Sequence, residues 1–443
     1  MTLSYTEADY QRMFDEYMKT GEKEYVRVDI TIDGTLVEDA GIRLKGNSTL
    51  GTVTHKGQTK SFREGPGGGN GGQNGAGGMP AGGRGGFGGG SSLDSSRPEE
   101  LPWLISFDEF DKGRRYQGHS EIAVRISGMG GGSTVLNEAV SLNVINAAGL
   151  PTQQYAYTSF QINNRPVKAR LLVEHPDENF ADTLGNGVLY KALSTSQFTY
   201  QGEDPTSYED DFKQINSKGS HDLKPVIDLL KWVNEASDAE FNAHLADHVD
   251  VGSFASYTAL QNLLLNFDDM SGPGRNYYLW YDLDTRKFKV ISWDHNLTFS
   301  GNATAGPNDT MTMGGGRGGP GGFQPPEGFT PPEGFTPPGG GGPGAGNGQV
   351  GRGPGGMMGG NKLKERFLAS DAFKQIYNQA YRDLYQKIYG SGIALTALTQ
   401  IGATLATVTG NDSAAVTTDS GRLRSIIEQR TTALAQNEVI TTK

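Results

Sequence analysis

The stretch Asn276-Tyr277-Tyr278-Leu279-Trp280-Tyr281-Asp282-Leu283-Asp284-Thr285-Arg286-Lys287-Phe288-Lys289-Val290-Ile291-Ser292-Trp293-Asp294 reads as one hairpin. Aromatic and β-branched residues build two strands, and Asp282 to Arg286 punctuates between them. Antiparallel pairing about that break sets Asn276 opposite Asp294, with Cβ atoms on the order of 5 Å apart. An amide oxygen and a carboxylate that close suit a hard, oxygen-seeking cation such as Mg2+. Just upstream, Asn266-Phe267-Asp268-Asp269 supplies carboxylates that a loop can fold back toward the same point. Neighbouring side chains of an extended loop point apart, so only one of Asp268 and Asp269 reaches the hairpin. As a base, that carboxylate would accept or orient a hydroxyl proton. A base, an Asn and a metal-binding Asp in this chain order are the parts a protein kinase uses for phosphoryl transfer. Asp282 and Asp284, by contrast, read as turn residues.

Composition narrows the function classes. The chain has 443 residues and 65 glycines, many of them in two tracts at 65–97 and 301–361 that cannot build a core. Both are expected to be disordered inserts. The second carries the near-repeat Pro325-Pro326-Glu327-Gly328-Phe329-Thr330 and Pro331-Pro332-Glu333-Gly334-Phe335-Thr336, a spacer, docking or lid element or a tolerated surface insert. A net charge of -11 and a pI near 5.2 argue against nucleic acid or an anionic membrane as partner. No apolar run is long enough to span a bilayer. No leader is visible at Met1 to Tyr25, so export would need one that is not in this sequence. Zero cysteines exclude disulfides, thiolate zinc sites and Cys nucleophiles. The seven histidines lack zinc-hydrolase spacing, and no GxSxG elbow supports a serine hydrolase.

Along the chain, strands with few helices come first and a mostly helical half follows. Strands are expected at 25–33, 41–45, 101–107, 122–126, 156–162 and 167–173, and helices at 6–19, 135–148, 223–233, 238–245, 251–265, 362–389 and 421–436. This order predicts an α+β fold with a β-rich N-terminal lobe over residues 1–193 and an α-rich C-terminal lobe over 194–443, the latter holding the hairpin within 266–299.

Other side chains are candidates around that hairpin. Glu138, one turn into the predicted helix at 135–148, suits the helix dipole and could orient a phosphate-binding cation, with Arg125 as its partner. Lys191 ends the apolar run Val188-Leu189-Tyr190 and could reach a nucleotide. Glu174 closes a strand at a hinge-like position. Gly128-Met129-Gly130-Gly131-Gly132 precedes a helix and could hold phosphate through backbone N–H groups, although it matches no phosphate-loop pattern.

The residues resemble the CotH family, the spore-coat kinases and their bacterial and fungal surface relatives. The likeness runs through Gly41-Ile42-Arg43-Leu44-Lys45-Gly46-Asn47-Ser48, Phe107-Asp108-Glu109-Phe110, Tyr116-Gln117-Gly118, Leu136-Asn137-Glu138, Gly149-Leu150-Pro151, Val173-Glu174 and Leu189-Tyr190-Lys191. It is most specific at Asn266-Phe267-Asp268, Asn276-Tyr277-Tyr278-Leu279 and Trp293-Asp294-His295-Asn296-Leu297-Thr298-Phe299. The resemblance implies an atypical, two-lobed protein kinase fold. It also implies ATP with Mg2+ or Mn2+, and Ser or Thr hydroxyls of surface or coat proteins as acceptors, in an extracytoplasmic setting. It marks Asp268 as the catalytic Asp, and Asn276 and Asp294 as the metal-binding pair. Two departures stand out. The family's Lys before the strand Pro102-Trp103-Leu104-Ile105 is displaced by the first glycine tract, which leaves Lys60, Arg125 and Lys191 as possible phosphate-binding cations. Asn296 stands where the family's WDxD segment has a second carboxylate. An inactive pseudokinase and an AMP transferase on the same fold are the alternatives.

Overall fold

A computed structural model describes residues 1–46, 48–61, 92–128, 130, 132–309 and 360–442. Most of both glycine tracts, with the repeated hexapeptide and the spacer, docking and lid readings attached to it, lies outside the described residues. The chain is mixed α+β. Its first half runs β1 (Thr2–Ser4), α1 (Glu7–Thr20), β2 (Val26–Ile32), β3 (Thr35–Leu44), β4 (Thr52–His55), β5 (Gln58–Ser61), β6 (Ser92–Asp94), β7 (Trp103–Ser106), β8 (Glu121–Val124), α2 (Leu136–Ala147), β9 (Tyr155–Ile162), β10 (Lys168–Glu174), α3 (Glu178–Leu184) and β11 (Gly187–Ala192). It continues through β12 (Phe212–Gln214), α4 (Lys224–Glu235), α5 (Asp238–His248), α6 (Val251–Leu263), β13 (Tyr277–Asp282), β14 (Lys287–Ser292), α7 (Lys362–Ala369), α8 (Asp371–Tyr385), α9 (Ile393–Thr407), α10 (Ser413–Ala435) and α11 (Glu438–Thr441).

Seven strands close a barrel in the order β1-β2-β3-β7-β8-β10-β9, its seam made by parallel pairing of β1 with β9. Closure removes free edges, and the interior is filled by Val28, Ile30, Ile42, Trp103, Ile105, Val124 and Phe160. A second, four-stranded sheet has the order β12-β11-β13-β14. Because β11 pairs with both β12 and β13, the segments before and after residue 193 share one sheet. The third sheet, β5-β4-β6, contains Ser92–Asp94, a strand inside the tract expected to be disordered from 65. Residues 301–309 are likewise held, since Arg430 donates to the carbonyls of Ala303 and Ala305 and Asn262 donates to that of Gly306. Composition alone gave no sign of either anchor.

Local chemistry explains the elements that carry the site. α1 starts where the Thr6 hydroxyl accepts from Asp9 N at 3.2 Å and stops at Gly21, whose φ of 89° suits a residue without Cβ. α2 is buried nearly all round, from Leu136 to Ile145, so Glu138 on it is inside the protein. The expected helix at 362–389 is interrupted at Ser370, which caps α8, and it ends in a π-turn over Gln386–Gly390. α9 had no counterpart among the expected helices; its hydroxyl-rich face hides an apolar stripe of Ala394, Ala397, Leu398, Ile401 and Leu405.

Candidate active site

The hairpin forms in a register one residue away from the expected one. Tyr277 pairs with Ser292 and Asp282 with Lys287, so Asn276 extends toward Trp293 and does not face Asp294. The turn is the reason. Asp282 joins the ladder and its carboxylate accepts from the backbone N–H groups of Asp284 and Thr285 at 3.0 and 2.9 Å, leaving a loop one residue shorter than the sequence break implies. Asp294 then leaves the strand in the left-handed region, with φ 57° and ψ 71°. A non-glycine residue there is a strained position typical of functional sites.

That turn aims the Asp294 carboxylate at Arg125, which donates to its Oδ1. The same guanidinium grips Glu138 bidentately, through Nε to Oε2 at 2.7 Å and Nη2 to Oε1 at 2.5 Å. Arg125 and Glu138 stand at the end of β8 and on the following α2, whereas Asp294, at the end of β14, is 169 residues from Arg125. Burial pushes Asp294 up, but Arg125 and Lys45 reverse this and hold it below the usual carboxylate range. Glu138 is nearly inaccessible, and burial leaves its carboxyl above its usual range despite Arg125.

Asn276 is turned to Asp268, donating from Nδ2 to Oδ2 at 3.0 Å, while Gly274 N donates to Oδ1 at 2.6 Å. Asp268 is buried, and burial, followed by the negative charges of Asp294 and Asp269, pushes its carboxyl up to about 6 although the Gly274 bond opposes the rise. Between Asp268 and Asp269 the structure discriminates. Asp269 pairs with Lys364 of α7 and accepts from Ser271 N at 2.8 Å, whereas Asp268 faces Asn276. The loop fits only with small residues: a Cβ on Gly274 would lie 2.6 Å from Asp268 Oδ2 and 2.7 Å from Asn276 Nδ2. Gly274→Ala is therefore expected to break the Gly274–Asp268 bond and lower activity by roughly tenfold or more, with a loss of about 1–3 kcal/mol in a denaturant melt. Unchanged turnover would show that the loop yields without consequence.

Trp293 is the hub for cations. The ammonium groups of Lys45 and Lys191 lie 5.2 and 5.5 Å from its ring centroid and the Arg125 guanidinium 5.9 Å. Lys191 also donates to His175 Nε2 at 3.3 Å, and His175 Nδ1 lies 2.6 Å from Glu121. Burial, with Lys191 beside it, pushes His175 down to about 4, so the imidazole is neutral at pH 7. Burial first, and then Arg125, pushes Lys45 down to about 7. A small cleft, partly open to solvent, lies beside these groups, lined by Lys45, Arg125 and Asn296 together with Thr49, Pro102, Val124 and Ile126.

Two of the expected cofactor-binding residues are elsewhere. Lys60 donates to the carbonyl of Met18 at 3.1 Å and lies over Tyr17, because β5 pairs with β4, which packs on α1, and carries it to that helix's end. Glu174 accepts from Gln154 N at 3.0 Å and sits 3.4 Å from His119 Nδ1, at the end of β10. The Gly128–Gly132 run, of which Met129 and Gly131 lie outside the described residues, meets a carboxylate from within the chain. Thr134 gives its backbone N–H and hydroxyl to Asp419 Oδ2, each at 2.6 Å. Sequence reading assigned no role to Lys45, Gly274, His175, Glu121 or Lys364. The small-residue turn Gly272-Pro273-Gly274 could have flagged the loop, but nothing local marks Lys364 as the partner of Asp269.

Comparison with known proteins supplies the family. A family model described as CotH kinase protein matches residues 84–415, most of the chain. Inner spore coat protein H of Bacillus subtilis (strain 168) is 22% identical over 173 residues, which is 38% of this chain and 47% of that protein. The match thus spans about half the length of that relative. With the family model covering the barrel's later strands, α2, the Asp268 loop, the hairpin and most of the following helices, the chain belongs to the CotH family.

Proposed function

We propose that this protein is a two-lobed, CotH-like atypical kinase that transfers the γ-phosphoryl group of ATP to Ser or Thr hydroxyls of surface or coat proteins. One observation carries the reading: Asp268, bonded to Asn276, feels the charge of Asp294, and Asp294 is bonded to Arg125, which with Lys45 lines a cleft whose charged side chains are both cations. The relative's place in a spore coat supports an extracytoplasmic acceptor, and no helix among the described residues is long and apolar enough to cross a membrane.

By donor chemistry Asn276 and Asp294 suit a divalent ion, although the hairpin register does not set them face to face. Among the described residues no three His, Cys, Asp or Glu side chains form a metal cage. Asn276 and Asp294 would instead hold Mg2+ or Mn2+ by one amide and one carboxylate oxygen, leaving positions for water and phosphate oxygens, as Mg2+ prefers. Burial, and after it the charges of Asp294 and Asp269, raise the Asp268 carboxyl, and a cation beside it would oppose that rise. The ion would supply neutralisation of charge on the phosphates. Asp268, fixed through both oxygens, would orient the acceptor hydroxyl and take its proton. Arg125, braced by Glu138, would hold Asp294 in its left-handed turn.

Replacing Asp294 with Ala is expected to remove metal-dependent ATP binding, weakening affinity by about 10- to 100-fold in calorimetry. Undiminished affinity would count against the metal role. Asn296, which lines the cleft in place of a second carboxylate, favours the alternatives of AMP transfer or an inactive nucleotide-binding core.

A further inference from the structure

We infer that Lys45 is the side chain that meets the nucleotide's phosphate oxygens, an inference that rests on the kinase reading above. The cleft takes an anion by its own composition, since Lys45 and Arg125 bring positive charge and no acid lines it. Arg125 is already committed to Glu138 and Asp294. Lys45 is not. Its backbone N–H is fixed to the Pro102 carbonyl at 3.0 Å, which anchors the residue at the cleft wall. Its ammonium lies over Trp293, with no carboxylate in ion-pair range among the described residues.

The other two ammonium groups are occupied. Lys60 is bound at the end of α1, and Lys191 is tethered by its bond to His175, which Glu121 backs. A half-buried ammonium over an indole face, with Asp294 and Glu138 acting on it only from beyond ion-pair range, is a poor structural element, because desolvation is only partly compensated, and a good anion receptor. The turn that follows reinforces this geometry. Gly46 has φ 100° and a Cβ there would lie 2.8 Å from Thr49, so the chain curls tightly back at the cleft, with Thr49 on its lining. β3 and β7 are paired neighbours, with Leu44 opposite Trp103, so the end of β3 delivers Lys45 to the cleft wall that Pro102 also lines.

The test uses the full chain with Mg2+, titrated calorimetrically with ATP, tripolyphosphate and adenosine. Lys45→Met is expected to weaken ATP and tripolyphosphate by about 10- to 100-fold, leave adenosine unchanged, and be rescued to within a few-fold by Lys45→Arg. Equal ATP affinity in wild type and Lys45→Met overturns the inference and leaves the kinase reading standing. Lys45-dependent binding of tripolyphosphate without ATP binding overturns both, leaving Lys45 a receptor for phosphate alone, and wild type that binds neither also sinks both. Because Lys45→Met could misfold, the wild-type protein provides a second readout, amine acylation mapped by mass spectrometry. ATP is expected to slow modification of Lys45 by about tenfold and to spare the rate at Lys60. Loss of protection at Lys45 alone overturns the assignment.

Discussion

Asp268→Asn is expected to cut phosphoryl transfer by about 100- to 10,000-fold, the range for removing a positioned base, while ATP affinity stays within a few-fold of wild type. The substitution keeps an oxygen for the Gly274 N–H and removes the oxygen that Asn276 Nδ2 approaches at 3.0 Å. Because burial and neighbouring carboxylates push the Asp268 carboxyl up to about 6, its ionised form is disfavoured in the folded state. The neutral amide is therefore expected to leave the melting temperature unchanged or slightly higher. Initial-rate assays beside calorimetry and thermal melts separate the effects. Transfer at the wild-type rate would remove Asp268 from the chemistry, and a lost melting transition would make it a structural residue.

The largest stability effect is expected at Arg125. Arg125→Met strands two carboxylates, Glu138 and Asp294, whose side chains are only 1% and 19% exposed, on a guanidinium that is itself 8% exposed. Removing one partner of a buried ionic group typically costs about 3–5 kcal/mol. Glu138, already above its usual range, is expected to protonate, and Asp294 to leave its left-handed turn. The second change, Glu138→Leu in the Arg125→Met background, is expected to restore part of the loss, giving a coupling of about 1–3 kcal/mol in a double-mutant cycle by denaturant melting. Additive effects would mean that the pair is not energetically linked. Neither variant is expected to bind Mg2+–ATP as wild type does, since both release Asp294.

How far the sequence could be read is clearest at Asp294. Asp294 comes shortly after the apolar strand β14, where a carboxylate needs a partner, but the partner is set by the turn. A capping bond from Asp282 to its own loop shortened the turn and rotated the pairing away from Asn276. Register errors of one residue are cheap to make from pattern alone and move side chains to the other face. Glu138 and Arg125 are 13 residues apart and share a βα connection, so their pairing was accessible locally. The link to Asp294 spans 169 residues and depends on packing that periodicity does not encode. The barrel was hidden for a related reason. Its first strand, Thr2–Ser4, is only 3 residues long, and the closing contact is the parallel β1–β9 seam, in which Thr2 and Leu3 pair with Gln161 and Ile162. A strand-end lysine such as Lys45 reads from sequence as solvated, and only the fold puts it at a cleft whose lining holds no acid.

The central claim is that the cleft beside Asp268, Asn276 and Asp294 moves a phosphoryl group from ATP to a protein hydroxyl. Intact-mass analysis of an acceptor protein after incubation with the purified chain, ATP and Mg2+ or Mn2+ tests it most directly. The account predicts an acceptor heavier by one phosphoryl group on Ser or Thr, and none of it with Asp268→Asn. An acceptor heavier by AMP, or one of unchanged mass with every metal, would contradict it.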